Sequence, residues 1–183
     1  STFTTFPIQF TAPGEGYYEF YIIAYDYAGN SETPPLEPEF IIVFDFTSPT
    51  VLSHYPTDGG VDVDVDTNIT MTFSEPMETI YVEWYLHITP STDKTFIWNG
   101  DNTTVTVVLN ETFLQNMTYY VTFSSTPYDE AGNPLLEPYN FSFTTWLDTD
   151  GDGDPDSTDT DDDNDGVPDD EDLDPVDPTV STD

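Results

Sequence analysis

The chain has 183 residues and carries one basic side chain, Lys94, against 37 acidic ones, for a formal net charge of −36. Nucleic acids and anionic membranes are therefore not expected as partners, whereas cations are. The chain lacks cysteine, which excludes a disulfide framework and cysteine-ligated zinc, and it has no apolar run of the roughly 18 residues that a membrane span needs.

The first 46 residues predict an incomplete β-sheet unit. Apolar residues alternate over residues 3–10, 17–25 and 40–46, which predicts three strands. Three strands with one apolar face do not bury a core by themselves. The run GEGYYEFYIIAYDYAGN resembles the end of a fibronectin-like or immunoglobulin-like (Ig-like) surface module. We therefore expect residues 1–46 to be the C-terminal part of such a module, completed either by upstream chain of a longer protein or by strand exchange with a neighbouring chain.

The next hundred residues predict a complete sandwich of short strands. Apolar and polar side chains alternate with the period of a half-buried strand over residues 67–73, 117–124 and 139–145. Residues 49–55 and 103–109 complete a set of short predicted strands separated by turn signals. One helical turn is expected after Pro76, with Ser74 as its N-cap. Short strands separated by turn signals predict an all-β fold, built on an antiparallel β-sandwich.

Two nearly identical hexapeptides, YDYAGN from Tyr25 and YDEAGN from Tyr128, lie 103 positions apart. Each follows an alternating run, and the letters LEP and another alternating run come after it. Glycine supplies the positive φ that a tight turn needs, and aspartate accepts hydrogen bonds from turn amides. Because 103 residues is about the length of one sandwich domain, the repeat predicts the closing hairpins of two successive modules.

Two long runs in the body of the chain carry a family resemblance through the order and spacing of their residues: YPTDGGVDVDVDTNITMTFSEPM and NMTYYVTFSSTPYDEAGNPLLEPYNFSFTTW. With their phrases FSEPM, AGNP and FSFTT, they resemble the bacterial Ig-like domain of S-layer and other large surface proteins. The resemblance covers about residues 47–146. It implies a complete Ig-like β-sandwich with a spacer or adhesive role and without catalysis.

The acidic residues concentrate in the tail, where 17 of the 37 fall within residues 148–183. Calcium takes about six to eight oxygen ligands, and calcium loops supply them from positions 1, 3, 5, 7 (a carbonyl), 9 and 12, with glycine at position 6. Two such loops fit the tail without overlap. The predicted ligands, with Asp154 and Val167 contributing carbonyls, are Asp148, Asp150, Asp152, Asp154, Asp156 and Asp159 in the first loop and Asp161, Asp163, Asp165, Val167, Asp169 and Asp172 in the second.

The tail letters DTDGDGDPDSTDTDDDNDGVPDDEDLDPVDP resemble thrombospondin type 3 repeats of prokaryotic surface proteins. The resemblance covers about residues 148–178 and implies that an irregular region over residues 147–183 binds two or more calcium ions. The other interpretation is a solvated, disordered acidic tail, because like charges repel and core-forming residues are few. We expect disorder without metal and order with it, as one coupled event.

Five asparagines stand in Asn-x-Ser/Thr sequons, the acceptor pattern for N-linked glycans. The competing interpretation is that these are polar residues in turns and strands. The five are Asn68, Asn102, Asn110, Asn116 and Asn140.

These features together predict a calcium-dependent structural or adhesive segment of a secreted prokaryotic cell-surface protein, with archaea as the favoured source. It is expected outside the cell, without enzymatic activity, as a spacer or as a subunit of a surface layer or filament. Calcium, copies of itself, other surface proteins and glycans are the candidate partners. The alternative is a calcium-dependent accessory or carbohydrate-binding region of a large secreted hydrolase, which a catalytic domain elsewhere in the protein would reveal.

Overall fold

The computed structural model describes residues 9–180 and divides the chain into two units, Ser1–Thr47 and Ser48–Asp183. The protein is all-β, with 33% strand and 4% helix, which confirms the predicted fold class. None of the helices within the described residues is long and apolar enough to cross a membrane. The strand predicted over residues 3–10 lies outside the described residues except at residues 9 and 10, which are irregular.

The first unit contains a two-stranded antiparallel sheet. Strand β1 (Gly16–Phe20) pairs with β2 (Phe40–Phe44), and Tyr18 lies opposite Ile42. The strand predicted over residues 17–25 ends at Phe20, so the prediction was wrong for residues 21–25. The reason is that β2 begins at Phe40, opposite Phe20, so the residues after Phe20 have no partner in this ladder.

One face of this sheet is aromatic. The ring of Phe10 lies 5.0 Å from that of Phe20 and 5.2 Å from that of Tyr18, and Tyr18 lies 5.4 Å from Phe44 between ring centroids. Phe40 nevertheless stays 50% exposed. The face is therefore not a closed core, and its completion by upstream chain or by strand exchange stays a prediction.

The second unit is a sandwich of two four-stranded sheets and one short helix. One sheet contains β3 (Val51–Tyr55), β5 (Ile69–Phe73), β8 (Thr104–Leu109) and β7 (Lys94–Trp98), in that spatial order. The other contains β4 (Gly60–Val63), β10 (Asn140–Thr145), β9 (Thr118–Phe123) and β6 (Leu86–Thr89). Strand β4 pairs with β10 in parallel, whereas the other strand pairs of the two sheets are antiparallel. Helix α1 (Thr79–Tyr85) precedes β6.

The core lies between the inward faces of the two sheets, as the alternation predicts. The side chains of strands β5, β9 and β10 that alternation assigns to the inside are buried: Ile69, Met71, Phe73, Tyr119, Val121, Phe141 and Phe143. Met117, Phe123 and Tyr139 are partly buried against them. Each large apolar side chain that leaves water here stabilises the fold by about 1.5–3 kcal/mol.

The predicted helix start was wrong. Helix α1 begins at Thr79, with Glu78 at the N-cap position, and not directly after Pro76. Met77 is held in an isolated β-bridge with Asp129, so the chain stays extended up to the cap. The hydroxyl of Ser74 accepts a hydrogen bond from the Thr50 N–H at 2.9 Å, and it therefore joins two strand ends instead of capping the helix.

The two hexapeptides form the same turn. In each, the asparagine donates from its backbone and its side-chain amide to the aspartate carboxylate, at 2.9 and 2.7 Å from Asn30 to Asp26 and at 2.7 and 2.8 Å from Asn133 to Asp129. The glycines have positive φ, 86° and 93°. The predicted turn chemistry is confirmed, and the assignment of the two turns to successive modules stays a prediction.

We expect Gly132→Ala to destabilise the second unit by about 1–2 kcal/mol, because an alanine in the left-handed region costs roughly that much. The control is Gly100→Ala, since in both positions the added methyl meets no heavy atom within 4 Å and only Gly132 has a positive φ, of 93°. Urea unfolding midpoints of the two variants measure the difference. Equal losses would contradict the assignment of the cost to backbone strain.

We expect Phe143→Ala to cost about 3–5 kcal/mol of unfolding free energy, because it opens a cavity in the core. Phe143 is 1% exposed and its ring lies 5.2 Å from that of Phe113. The matched control is Tyr120→Ala, which removes another aromatic ring from a side chain that is 54% exposed. Denaturant unfolding of the two variants checks this, and a control loss as large as that of Phe143→Ala would refute the core assignment.

Candidate metal site in the acidic tail

The tail leaves the sandwich at the end of strand β10. Trp146 donates its N–H to the carbonyl of Val63 at 3.1 Å, and its own carbonyl accepts from the Asn116 N–H at 2.7 Å. Beyond this point the described residues form turns and bends without helix or strand. The backbone of the tail must therefore be held by local hydrogen bonds.

The tail folds into two loops with the same internal hydrogen bonds. We define the first loop as residues 148–159 and the second loop as residues 161–172, so that position 1 is Asp148 or Asp161. The position 9 N–H donates to the carbonyl just before position 1, at 2.9 Å in the first loop and 3.0 Å in the second. The position 2 N–H donates to the carboxylate of position 9 at 2.8 and 2.9 Å. The two loops are thus structural repeats.

The aspartates at positions 3 and 5 fix the turn of each loop. The position 5 N–H donates to the position 3 carboxylate at 2.9 Å in the first loop and 3.1 Å in the second. The position 7 N–H donates to the position 5 carboxylate at 2.9 Å in both loops. Position 6 is glycine in both, with φ of 103° and 95°, a backbone conformation that glycine adopts without steric cost.

Positions 1, 3 and 5 converge in both loops. Asp148, Asp150 and Asp152 each offer a carboxylate oxygen within 4.8 Å of the others, and Asp161, Asp163 and Asp165 do the same. Two oxygens bound to one calcium ion lie at most about 5 Å apart, because each is about 2.4 Å from the metal. The spacing of these oxygens is therefore compatible with a shared ion.

The second loop buries carboxylate oxygens that have no hydrogen-bond partner. Asp161, Asp163 and Asp172 each accept a backbone N–H on one oxygen, at 3.1, 3.1 and 2.9 Å. The other oxygen of each is buried without a partner within the described residues: Asp161 Oδ1, Asp163 Oδ2 and Asp172 Oδ2. Asp163 as a whole is only 7% exposed. Leaving a buried polar group unpaired costs about 1–3 kcal/mol, and more when it is charged.

The carboxylates of the second loop also repel one another. Burial raises the pKa of Asp163 despite the N–H of Asp165, and the charges of Asp165, Asp172 and Asp161 raise it further. Two like charges about 5 Å apart repel by about 1 kcal/mol in bulk water and by about 3 kcal/mol at an effective dielectric constant of ~20. A cation among these groups would compensate for the lost hydration of the carboxylates and offset their mutual repulsion.

Among the described residues, neither cluster of three includes the carboxylate of another predicted ligand: Asp156, Asp159, Asp169 or Asp172. The carboxylates of Asp156 and Asp169, at position 9, accept hydrogen bonds from position 2. Asp159 accepts from the N–H groups of Thr160 and Asp161 at 2.6 and 3.1 Å. Asp154 and Val167 are tied to position 5 through their N–H groups, and their carbonyls stay predicted ligands.

The spacing argument missed two tail residues. Asp162 has a buried, unpartnered Oδ1, and burial together with the charges of Asp169, Asp156 and Asp159 raises its pKa to about 6. Asn164 donates its side-chain amide to Asp150 and so connects the two loops. Aligning the loops at their 13-residue offset would have marked both, since the second loop has a carboxylate and an amide where the first loop has Thr149 and Gly151.

A family described as the bacterial Ig-like domain matches residues 45–145 of the chain. No curated protein matches the sequence.

Solved structures that match the chain include L,D-transpeptidases and an S-layer protein. An L,D-transpeptidase from Mycobacterium smegmatis is 23% identical over 54% of this chain and 40% of its own length, with a TM-score of 0.41. The S-layer protein rSbsC is 24% identical over 54% of this chain and 14% of its own, with a TM-score of 0.40. L,D-transpeptidase 3 from Mycobacterium tuberculosis is 22% identical over 52% and 37%, with a TM-score of 0.36. The chain thus spans well under half the length of each, and similarity at this level gives no information on activity.

Proposed function

The chain belongs to the bacterial Ig-like domain family through residues 45–145, and from this membership we propose that it is a non-catalytic structural segment of a secreted prokaryotic surface protein whose acidic tail is ordered by calcium. The sandwich acts as a spacer, and the tail forms a calcium-stiffened joint after it. The proposal includes a place in a surface layer or filament and an archaeal source. It also includes the assignment of the tail to the thrombospondin type 3 repeats.

One observation carries the calcium part of the proposal: three predicted ligands of the second loop, Asp161, Asp163 and Asp172, each have a buried oxygen without a hydrogen-bond partner among the described residues. They stand at positions 1, 3 and 12, which are ligand positions in a calcium loop. A backbone N–H holds the other oxygen of each carboxylate, so the side chains are already oriented. This orientation belongs to the ordered tail, whose formation is proposed to be coupled to ion binding.

The composition supports an ion from outside the chain as the neutralising partner. The protein has one basic side chain, Lys94, which lies on strand β7 of the sandwich. Clusters built only of oxygen ligands suit calcium, which accepts variable geometry, better than they suit magnesium, which demands a near-ideal octahedron. Extracellular calcium modules commonly work at about 10⁻⁴ to 10⁻³ M.

The two loops are proposed to differ in strength. The described residues of the first loop include no predicted ligand with a buried, unpartnered oxygen, whereas the second loop has three. The Asn164 amide reaches Asp150 of the first loop, so ordering of the second loop constrains the first. We therefore propose that calcium fills the second loop first.

We expect calcium to slow amide hydrogen exchange of the tail, because binding and ordering are one event. The amides of Asp165, Gly166 and Val167 report on the second loop, since their N–H groups donate to its carboxylates. The Val121 amide, in the buried strand β9, is the internal control and should not change. Exchange rates are measured by mass spectrometry or NMR in calcium, in magnesium and in chelator. Identical tail rates in calcium and in chelator would reject calcium-dependent ordering.

We expect Asp163→Asn to lower calcium affinity at least about tenfold, equivalent to about 1.4 kcal/mol, because it removes a charged ligand at position 3. The matched control is Asp170→Asn, which removes the same charge from an exposed side chain outside the predicted ligand set. Calorimetric titration of both variants with calcium measures the affinities. Equal losses would mean that overall charge, and not the arrangement of the second loop, governs binding.

A further inference from the structure

The five sequons differ in the accessibility of their two essential positions, which are the asparagine and the hydroxyl residue two places later. In the sequon Asn110-Glu111-Thr112 all three residues are exposed and lie outside the strands, in the loop after β8. In the other four, the hydroxyl residue is half-buried within a strand: Thr70, Thr104, Thr118 and Ser142. Asn68 and Asn116 are also exposed outside the strands. The expectation that the whole sequon lies in a surface loop is met only by the sequon at Asn110 among the five.

The side-chain amide nitrogen of Asn110 is available for reaction. Its carbonyl oxygen accepts a long hydrogen bond from the Thr95 hydroxyl at 3.3 Å, and its nitrogen has no hydrogen-bond partner in the part of the chain that the structure describes. Backbone geometry does not account for asparagine at this position. Asn102 and Asn116, in contrast, have φ of 57° and 49°, a region in which asparagine is enriched for conformational reasons alone.

Asn102 offers an internal counterexample with the same sequon pattern. It is half-buried, and its side-chain nitrogen donates to Glu130 Oε1 at 2.9 Å. Its hydroxyl residue, Thr104, is the first residue of β8 and faces the Thr72 hydroxyl at 3.4 Å. A glycan here would require the loss of the Glu130 contact and the opening of the strand end.

We propose that Asn110 accepts an N-linked glycan in the folded protein and that Asn102 does not. The donor is a lipid-linked oligosaccharide: the Asn110 side-chain nitrogen bonds to the anomeric carbon of the sugar and loses one proton. The lipid phosphate leaves with the electron pair of the broken carbon–oxygen bond. No oxidant or reductant is needed.

The position of Asn110 gives this glycan a defined place. Phe113 donates its N–H to the carbonyl of Val65 at 2.9 Å, and Asn116 donates to that of Trp146 at 2.7 Å. The loop that begins at Asn110 is thereby fixed to the end of the sandwich from which the tail leaves. A glycan at Asn110 adds bulky, hydrophilic mass beside this junction.

The test uses the purified, folded chain in calcium, a single-subunit oligosaccharyltransferase and a lipid-linked oligosaccharide. Mass spectrometry of the intact chain and of its glycopeptides reads out the sites. We expect one added glycan, on the peptide that contains Asn110, and its loss in both Asn110→Gln and Thr112→Ala. The Asn102→Gln variant should gain the same glycan as the unchanged chain.

Absence of a glycan at Asn110 in the folded chain overturns the proposal, and so does equal occupancy of Asn102. The urea-unfolded chain is the reference, because there all five sequons are equally open. Neither outcome depends on the calcium titration, so the two proposals fail separately. Glycopeptide mapping of the unchanged chain keeps the test decisive if a variant folds poorly.

Discussion

Carboxylates held by backbone N–H groups are the interaction on which this structure depends. With one basic side chain in the sequence, aspartates cannot rely on lysine or arginine as partners. Asp26 and Asp129 therefore accept the amides of their own turns, and Asp58 accepts the N–H of Ser142 at 3.0 Å. Positions 3 and 5 of both tail loops use the same bond. Hydrogen bonds to a charged acceptor contribute about 1.5–3 kcal/mol each, and they fix the direction of the carboxylate.

The same bond has different consequences in the two parts of the second unit. In the sandwich it finishes turns whose strands are already held by an apolar core that includes Phe73, Val107 and Phe143. In the tail these N–H to carboxylate hydrogen bonds are the main interactions that stabilise the backbone conformation, because the described tail residues include no buried apolar side chain. Each anchored carboxylate there keeps a second oxygen, and in the second loop the second oxygens of Asp161, Asp163 and Asp172 are buried. The sandwich is therefore held together by its own packing, whereas the tail is proposed to need a bound cation for its order.

The sequence pattern was sufficient to predict strands β3, β5, β8, β9 and β10. Alternation of apolar residues also predicted the inward faces of β5, β9 and β10, because these strands are half-buried on a single core. It did not indicate β6, which has only four residues, or β7, in which the consecutive apolar residues Phe96, Ile97 and Trp98 obscure the alternation. It did not indicate the parallel pairing of β4 either, since Val61 and Val63 alternate with aspartates and pairing direction is a property of the whole sheet. In the tail, spacing along the chain identified positions 1, 3 and 5. The environment of Asp162 and the contact of Asn164 with Asp150 arise between loops, and no local spacing rule describes such contacts.

Strand β10 runs directly into the tail and lies between two neighbours, β4 on one side and β9 on the other. A pulling force on the tail therefore acts along β10 and shears its hydrogen bonds to both neighbouring strands. These hydrogen bonds must break together before the strand can slide, whereas a hairpin pulled open from its end loses its hydrogen bonds one at a time. A domain with this strand arrangement resists unfolding under tension, which is the mechanical property that a link in a stressed surface array requires.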